Sequence, residues 1–332
     1  VVRGGVADVV ANEESPLTYF EAVEVLSRGG LADGPVDIAG IEAGMGGEWD
    51  STNVVDADVA VLTRIAMDHA EHLGDTIAEI ARTKAGIIKP ATRVVCAPQS
   101  DEAWAEIVVA CERDEAPLRV LGRDFHLTSV QPAVGGQVIG VEGIAGEYQN
   151  LILPLLGDHQ AMNAAVAIAA VESFLGNGEN PLDRDLVEEA MALSTSPGRL
   201  QILGARPTVI ADAAHNPHGA EALTRALMTS FSFDRLICVV GILQEKDVVG
   251  IIEALDPVVD HFVVTQSQSD RAISVPYLAD IVASIAGPDR VDSRANALEA
   301  LDRAHELAQE EGGIVITGSI TLVAELSRGA GR

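Results

Sequence analysis

Polar side chains able to do chemistry collect at four places in this sequence, and each place adjoins a short apolar run. Glu42 closes the run 36–41 (VDIAGI), and Asp68-His69 follow 59–65 (VAVLTRI). Asp212-Ala213-Ala214-His215-Asn216 follow 209–211, and Thr317-Gly318-Ser319 end the run 314–317. In open α/β sheets, ligands bind beyond the carboxyl ends of the strands. Four polar clusters placed this way imply a cleft between two domains. Within it, Glu42 and His69 have donor types that suit Mg²⁺ or Mn²⁺ at a phosphate site. Taken singly, each fits a structural role equally well, and no H-E-x-x-H or C-x-x-C spacing marks a zinc site.

Lys84 falls with Ile77, Ile80 and Ala81 on one helical face, at i, i+3, i+4 and i+7. A lysine in an apolar stripe is desolvated, which favours the neutral amine. Such an amine can carry a carbamate and so offer oxygen to a metal; alternatively it snorkels past the helix end or pairs with an acid. Gly44-x-Gly46-Gly47 invites a phosphate-loop reading, but the chain contains neither G-x-x-x-x-G-K-[ST] nor a helix-opening G-x-G-x-x-G. If ATP is a substrate, its main phosphate cradle is expected outside these residues. Arg199, Asp212, His215 and Asn216 could meet phosphates, Arg199 through its bidentate fork and His215 near a helix N-terminus. Asp212 and Asn216 serve equally well as turn and cap residues.

The elements that must position these groups alternate in α/β fashion. Strands are expected at 36–41, 59–65 and 94–96. A helix capped by Thr76 and Glu79 follows the second of these and stops near Gly86, and another spans 102–113. From 118 to 156 the residues alternate between turn glycines, as in a small antiparallel sheet. Helices are expected at 159–174 and 186–193, and Ser194-Thr195-Ser196-Pro197-Gly198 then breaks the pattern. Beyond it, strands at 209–211, 236–240, 262–265 and 314–317, with intervening helices such as 218–228 and 295–310, suggest a doubly wound, Rossmann-like sheet.

Composition agrees with two α/β domains: 332 residues, 48% hydrophobic and only 3% aromatic, so the core is aliphatic. A formal charge of −28 argues against a grip on nucleic acid or anionic lipid. Cys96, Cys111 and Cys238 are odd in number and widely spaced, which points to a reducing compartment. No apolar run approaches the ~18 residues of a membrane span. The first residues, Val1-Val2-Arg3-Gly4-Gly5, do not read as a signal peptide, and the start on Val rather than Met leads one to expect that a natural N-terminus is missing.

Several ordered segments resemble the folylpolyglutamate and dihydrofolate synthases, within the Mur-ligase-like ATP-dependent amide ligases. Residues 41–53 (IEAGMGGEWDSTN) are similar to that family's E-x-G-x-G-G-R-x-D-A-T-N, and 63–90 to the block after it. Leu17-Thr18-Tyr19-Phe20-Glu21-Ala22 resembles the block before it, and Gly157-Asp158-His159-Gln160-Ala161-Met162-Asn163 resembles G-x-H-Q-x-x-N. Pro197-Gly198-Arg199, Asp212 to Pro217, Lys246-Asp247 and Thr317-Gly318-Ser319 complete the series in order, so the resemblance spans the whole chain.

The resemblance implies an α/β fold: a Mur-ligase-like ATPase domain (residues 1–195) that is partial because its P-loop segment is missing, a linker (196–200), and a C-terminal Rossmann-like doubly wound domain (201–332). It implies a cytoplasmic, monomeric ligase that joins L-glutamate to dihydropteroate or to a reduced folate, with ATP and Mg²⁺ as cofactors and K⁺ as a candidate. Glu42, His69 and carbamylated Lys84 would hold magnesium. Asn163 would face adenine, Arg199 and Asp212 would contact ATP, and His215 and Ser319 would bind glutamate. Lys84, Asp212 and His215 would thus serve catalysis, while Thr18, Phe20, Asp50 and Ser51 would border the pterin. Glu48 stands where the family usually has Arg, and Thr83 where an acid commonly precedes the lysine. Two other readings fit parts of the pattern: a degenerate folate- or nucleotide-binding protein, and a cell-wall amino-acid ligase of the Mur type.

Overall fold

The computed structural model describes residues 18–34, 36–68 and 70–329. Two compact units divide between Val120 and Leu121.

In the first unit, helix α1 (Tyr19–Asp33) precedes a 3-10 turn (Ser51–Val54), strand β1 (Val59–Leu62), and helices α2 (Ala70–Leu73) and α3 (Ile77–Ala85). Strand β2 (Arg93–Cys96), helix α4 (Asp101–Arg113) and strand β3 (Leu118–Val120) follow. The three strands form a parallel sheet in the order β1-β2-β3. Small and branched residues fill its core: Ala60, Leu62, Val94 and Cys96 pack with Ile80 and Ala81 of α3 and Ala103 and Ile107 of α4. Both helices start on side-chain caps, Thr76 with Glu79 in a reciprocal box and Ser100 alone. These caps satisfy backbone N–H groups that the first helical turn leaves without partners.

Two expectations change here. Residues 36–41 form no strand; Val36, Ile38 and Ile41 are 50%, 57% and 40% exposed. A strand exists through its partner's hydrogen bonds, and this segment pairs with none among the described residues. Residues 118–120 belong to the parallel sheet rather than the antiparallel one, because β3 continues the β2 ladder through Val95↔Arg119.

The second unit opens with an antiparallel meander of β4 (His126–Ala133), β5 (Gly136–Glu142) and β6 (Glu147–Leu153). Helix α5 (Asp158–Gly176) is joined to this meander by one carboxylate. Buried Glu172 accepts from Ile144 N (2.6 Å), Ala145 N (3.3 Å), Gly146 N (2.9 Å) and the Tyr148 hydroxyl (2.8 Å). Helix α6 (Arg184–Ala192) leads into the expected break.

A six-stranded sheet follows, built from β7 (Gln201–Ala205), β8 (Thr208–Ala211), β9 (Leu236–Val240), β10 (His261–Val264), β11 (Val291–Ser293) and β12 (Gly313–Thr317). Its order is β11-β10-β9-β12-β8-β7, all parallel except β7. Alternate residues of β9 point to opposite faces, as strand geometry requires. Cys238 and Val240 pack with helices α7 (Pro217–Ser230), α8 (Val248–Leu255) and α9 (Val275–Ala286). Ile237 and Val239 pack with α10 (Ala297–Ala308) and α11 (Ile320–Gly329). With both faces covered, β9 is apolar throughout, as the sequence led one to expect. The chain leaves neighbouring strands β8 and β12 toward opposite faces, through α7 and α11. That divergence is a topological switch point, where a crevice opens beyond the strand ends. No helix among the described residues is long and apolar enough to cross a membrane.

Candidate functional site

In the first unit, the conspicuous loop is the glycine-rich stretch 42–53. Its backbone lies directly on the C-terminal end of α3, where Glu48 N donates to Thr83 O at 2.8 Å. Gly46 has φ +76°, in the left-handed region, and a Cβ on Gly47 would stand 2.8 Å from the carbonyl oxygens of both Thr83 and Lys84. These two glycines are therefore needed for backbone approach to a helix end. Asn53 Nδ2 clasps the same junction, donating to Glu48 O (3.1 Å) and Gly86 O (3.2 Å).

Asp50 organises the rest of the loop by accepting from Met45 N (2.8 Å), Thr52 N (3.0 Å) and Thr52 Oγ1 (2.6 Å). Burial opposes its ionisation, but these donors outweigh it and hold Asp50 below the usual carboxylate range. Helix α1 packs alongside: the Phe20 ring covers Gly44, and Arg28 donates to Ser51 O at 2.8 Å. Ser51 Oγ is buried without a hydrogen-bond partner. Thr18 caps α1 in a reciprocal box with Glu21. Phe20, Asp50 and Ser51 thus line one loop-and-helix surface. Exposed Met45 and Trp49 share the loop. Sequence reading passed over Trp49, although a tryptophan between a glycine cluster and an acid was the available signal.

The metal-binding expectation divides. Glu42 is an exposed carboxylate, the donor type a magnesium ion takes. Lys84 is half-buried: Ile80 and Ala81 are enclosed, but Lys84 lies in the last turn, where the stripe runs out. The expected desolvation is accordingly only partial. His69 lies outside the described residues, and among those described no three His, Cys, Asp or Glu side chains form a ready metal cluster. The three thiols are buried, and burial pushes Cys111 up to about 11, so they are inert nucleophiles.

In the second unit, the switch point gathers several expected residues. Asp212, 6% exposed, immediately follows β8 and accepts from Leu200 N and Ala214 N, both at 2.9 Å. Burial raises its pKa above the usual carboxylate range, against the pull of these amides, Arg199 and His215. Its bonds hold Arg199, exposed, beside the strand end. His215 Nδ1 lies 2.9 Å from Ala213 O; a carbonyl only accepts, so Nδ1 carries the proton. Asn216 caps α7 through Gly219 N at 2.7 Å.

The end of β12 is sewn to the same place, since Gly318 N donates to Ala214 O at 3.0 Å. Ser319, 1% exposed, accepts from Leu322 N and Thr321 Oγ1, both at 3.2 Å, and so caps α11. Asn163 is exposed one turn along α5 from His159. Burial first, then Arg199, and further Arg225 and His218, lower the pKa of His159 against the pull of Asp158. His159 was not singled out in the sequence; its ring and Leu200 both lie against Gly157, a meeting that only the fold brings about.

Residues 3–171 match the Mur ligase middle domain, and residues 198–320 match the "Mur ligase, glutamate ligase domain". The chain is 42% identical over 324 residues to a Mycobacterium tuberculosis "Dihydrofolate synthase/folylpolyglutamate synthase", covering 92% of this chain and 66% of that protein, a little under two thirds. An Escherichia coli protein of the same description is 32% identical over 95% of this chain and 70% of its own length. Among solved structures, M. tuberculosis folylpolyglutamate synthase complexed with ADP superposes with a TM-score of 0.94 at 40% identity, over 99% of this chain and 75% of that one.

Proposed function

Since this chain belongs to the Mur ligase family, on its dihydrofolate synthase/folylpolyglutamate synthase branch, we propose that it carries out ATP-dependent joining of L-glutamate to a folate-type carboxylate. The supporting observation is the switch-point crevice, where Arg199, Asp212 and His215 stand together behind β8. Relatives described as dihydrofolate synthase/folylpolyglutamate synthase, one of that group solved with ADP, support dihydropteroate or a reduced folate as the acyl donor.

A carboxylate is a poor acyl donor, so its oxygen first attacks the γ-phosphorus of ATP, releasing ADP and forming an acyl phosphate. The glutamate amine then attacks the acyl carbon, phosphate leaves, and the amine gives up a proton. Arg199 binds phosphate oxygens with its planar fork. Asp212 acts through Leu200 and Ala214, fixing the backbone that presents Arg199 and His215. Asn163 faces the adenine, and His215 with Ser319 receives the glutamate. Ser319 is enclosed, so that contact requires the crevice to open. Phe20, Thr18, Asp50 and Ser51 border the pterin, with Phe20 offering its ring face. Glu42, His69 and a carbamylated Lys84 would hold a magnesium ion, which when bound neutralises charge on the phosphates.

On this reading residues 1–195 form the ATPase part, 196–200 a linker and 201–332 the glutamate-binding part, in a cytoplasmic enzyme. The test is ADP release by the full-length protein with ATP, glutamate and either dihydropteroate or a reduced folate. Release that requires both glutamate and the pteroyl substrate is expected. Nucleotide binding without such release would leave a degenerate binding protein instead.

A further inference from the structure

Hydroxyl groups from two separate segments form a continuous relay at the carboxyl end of the six-stranded sheet. Ser267 stands three residues beyond β10, Thr321 lies in the first turn of α11, and Ser319 precedes that helix. Ser267 Oγ is 2.8 Å from Thr321 Oγ1, and Thr321 Oγ1 is 3.2 Å from Ser319 Oγ. A second tie holds the loop after β10 against the same helix, since Gln268 N donates to the Glu325 carboxylate at 3.2 Å. Ser267 and Ser319, at the two ends of the relay, are 5% and 1% exposed.

Counting protons gives the relay a direction. A hydroxyl donates once and accepts twice. Thr321 spends its proton on Ser319, so the bond between Ser267 and Thr321 forms only if Ser267 donates. Ser319 accepts from Thr321 Oγ1 and again from Leu322 N at 3.2 Å, which fills both of its acceptor positions. What Ser319 has left is its proton, and no group among the described residues accepts it. A buried O–H in that state is completed by an acceptor from a ligand, and it offers nothing to an amine. Gly318 N, bonded to Ala214 O at 3.0 Å, places this proton at the switch point.

We propose that Ser267 and Thr321 are positioning residues that fix Ser319 as a one-way donor to a carboxylate oxygen of the incoming glutamate. This rests on the ligase reading for the identity of that carboxylate, whereas the direction of the relay follows from proton counting. Held by its carboxylate, the substrate keeps its amine for the acyl carbon. Without the Thr321 proton, one lone pair of Ser319 is released and its O–H rotates freely, away from the substrate as often as toward it.

The test is glutamate-dependent ADP release by the full-length protein, with KM measured separately for glutamate and for ATP. Thr321→Val keeps the branched shape and is expected to raise the glutamate KM about three- to tenfold, with the ATP KM within about twofold of wild type. Thr321→Ser restores a hydroxyl and with it most of the glutamate affinity. Ser267→Ala shifts the glutamate KM in the same direction by less. In the double variant Ser267→Ala/Thr321→Val it adds nothing, because Ser267 acts only through Thr321. Parallel rises for glutamate and ATP, Thr321→Ser as poor as Thr321→Val, or additive losses in the double variant would each overturn the relay. An unchanged glutamate KM in Thr321→Val, with wild type active, would overturn the relay and leave the ligase reading standing. A wild type without glutamate-dependent ADP release would remove the ligase reading and this role together.

Discussion

Replacing Glu172 with glutamine tests whether one buried carboxylate joins α5 to the β5–β6 turn. Oε2 takes Ile144 N at 2.6 Å, while Oε1 takes Ala145 N, Gly146 N and the Tyr148 hydroxyl. Four donors aimed at two oxygens require an acceptor at both positions. Glutamine keeps one oxygen and puts an amide nitrogen at the other. If the oxygen stays with the three-donor group, the new N–H₂ faces Ile144 N–H, donor against donor. An unsatisfied buried donor costs about 1–3 kcal/mol, and the remaining bonds weaken because they lose a charged acceptor. Relief from burying a charge offsets part of this. The net expectation is about 2–3 kcal/mol for Glu172→Gln, and more for Glu172→Ala, which leaves every donor without its partner.

Because the chain has two compact units, a single melting curve does not isolate this effect. Hydrogen exchange by mass spectrometry does, read on peptides covering 143–150 and 165–176. Faster exchange at Ile144 and Gly146 in Glu172→Gln, with peptides of the first unit unchanged, is the expected pattern. Unaltered protection at those amides, with stability within about 0.5 kcal/mol of wild type, would refute the reasoning.

Three further outcomes are expected. Gly47→Ala puts a methyl against the Thr83 and Lys84 carbonyls and should cost about 1–3 kcal/mol, whereas Gly40→Ala, with nothing within 4 Å of its Cβ, should leave the thermal midpoint unchanged. Tyr148 is raised by burial and further by Glu172, against the Leu182 amide, to about 12. A raised folded pKa contributes stability that is present below the ordinary tyrosine value and lost as pH rises. Unfolding followed against pH should therefore show stability falling between about 10 and 12, and Tyr148→Phe should remove that component. Lys84→Arg keeps a cation but cannot carry a carbamate, so glutamate-dependent ADP release should fall by about a hundredfold with an unchanged circular dichroism spectrum; full activity would exclude a carbamate role.

Local signals in the sequence translated well into structure, and non-local ones did not. The Thr76–Glu79 box, the Asn216 cap and the all-apolar run of β9 act within one or two turns or along one strand, and each appears where it was read. Residues 36–41 (VDIAGI) are also mostly apolar, yet stand exposed. Composition states only a willingness to be buried; a ladder partner decides the matter, and partners lie far off in sequence. The same limit explains why 118–120 joined the parallel sheet, since alternation fixes which way side chains point but not which neighbour is met.

The site follows this division, and the glycine-rich loop shows why. Gly44, Gly46 and Gly47 suggested a phosphate cradle because glycine lets backbone approach a ligand closely. Here the nearest thing approached is protein: the last carbonyls of α3 touch Gly47, and Glu48 N bonds to one of them. Glycine reports that something comes near without saying what. Asp212 likewise was marked correctly as a residue of the strand end, but its carboxylate is directed at Leu200 N and Ala214 N. Motif position marked the strand end; which groups meet there depends on hydrogen bonds between segments that no local pattern encodes. On the proposed ligase reading, a buried residue bonded to backbone, such as Asp212, holds exposed Arg199 in place, and its substitution should disturb several ligand contacts together.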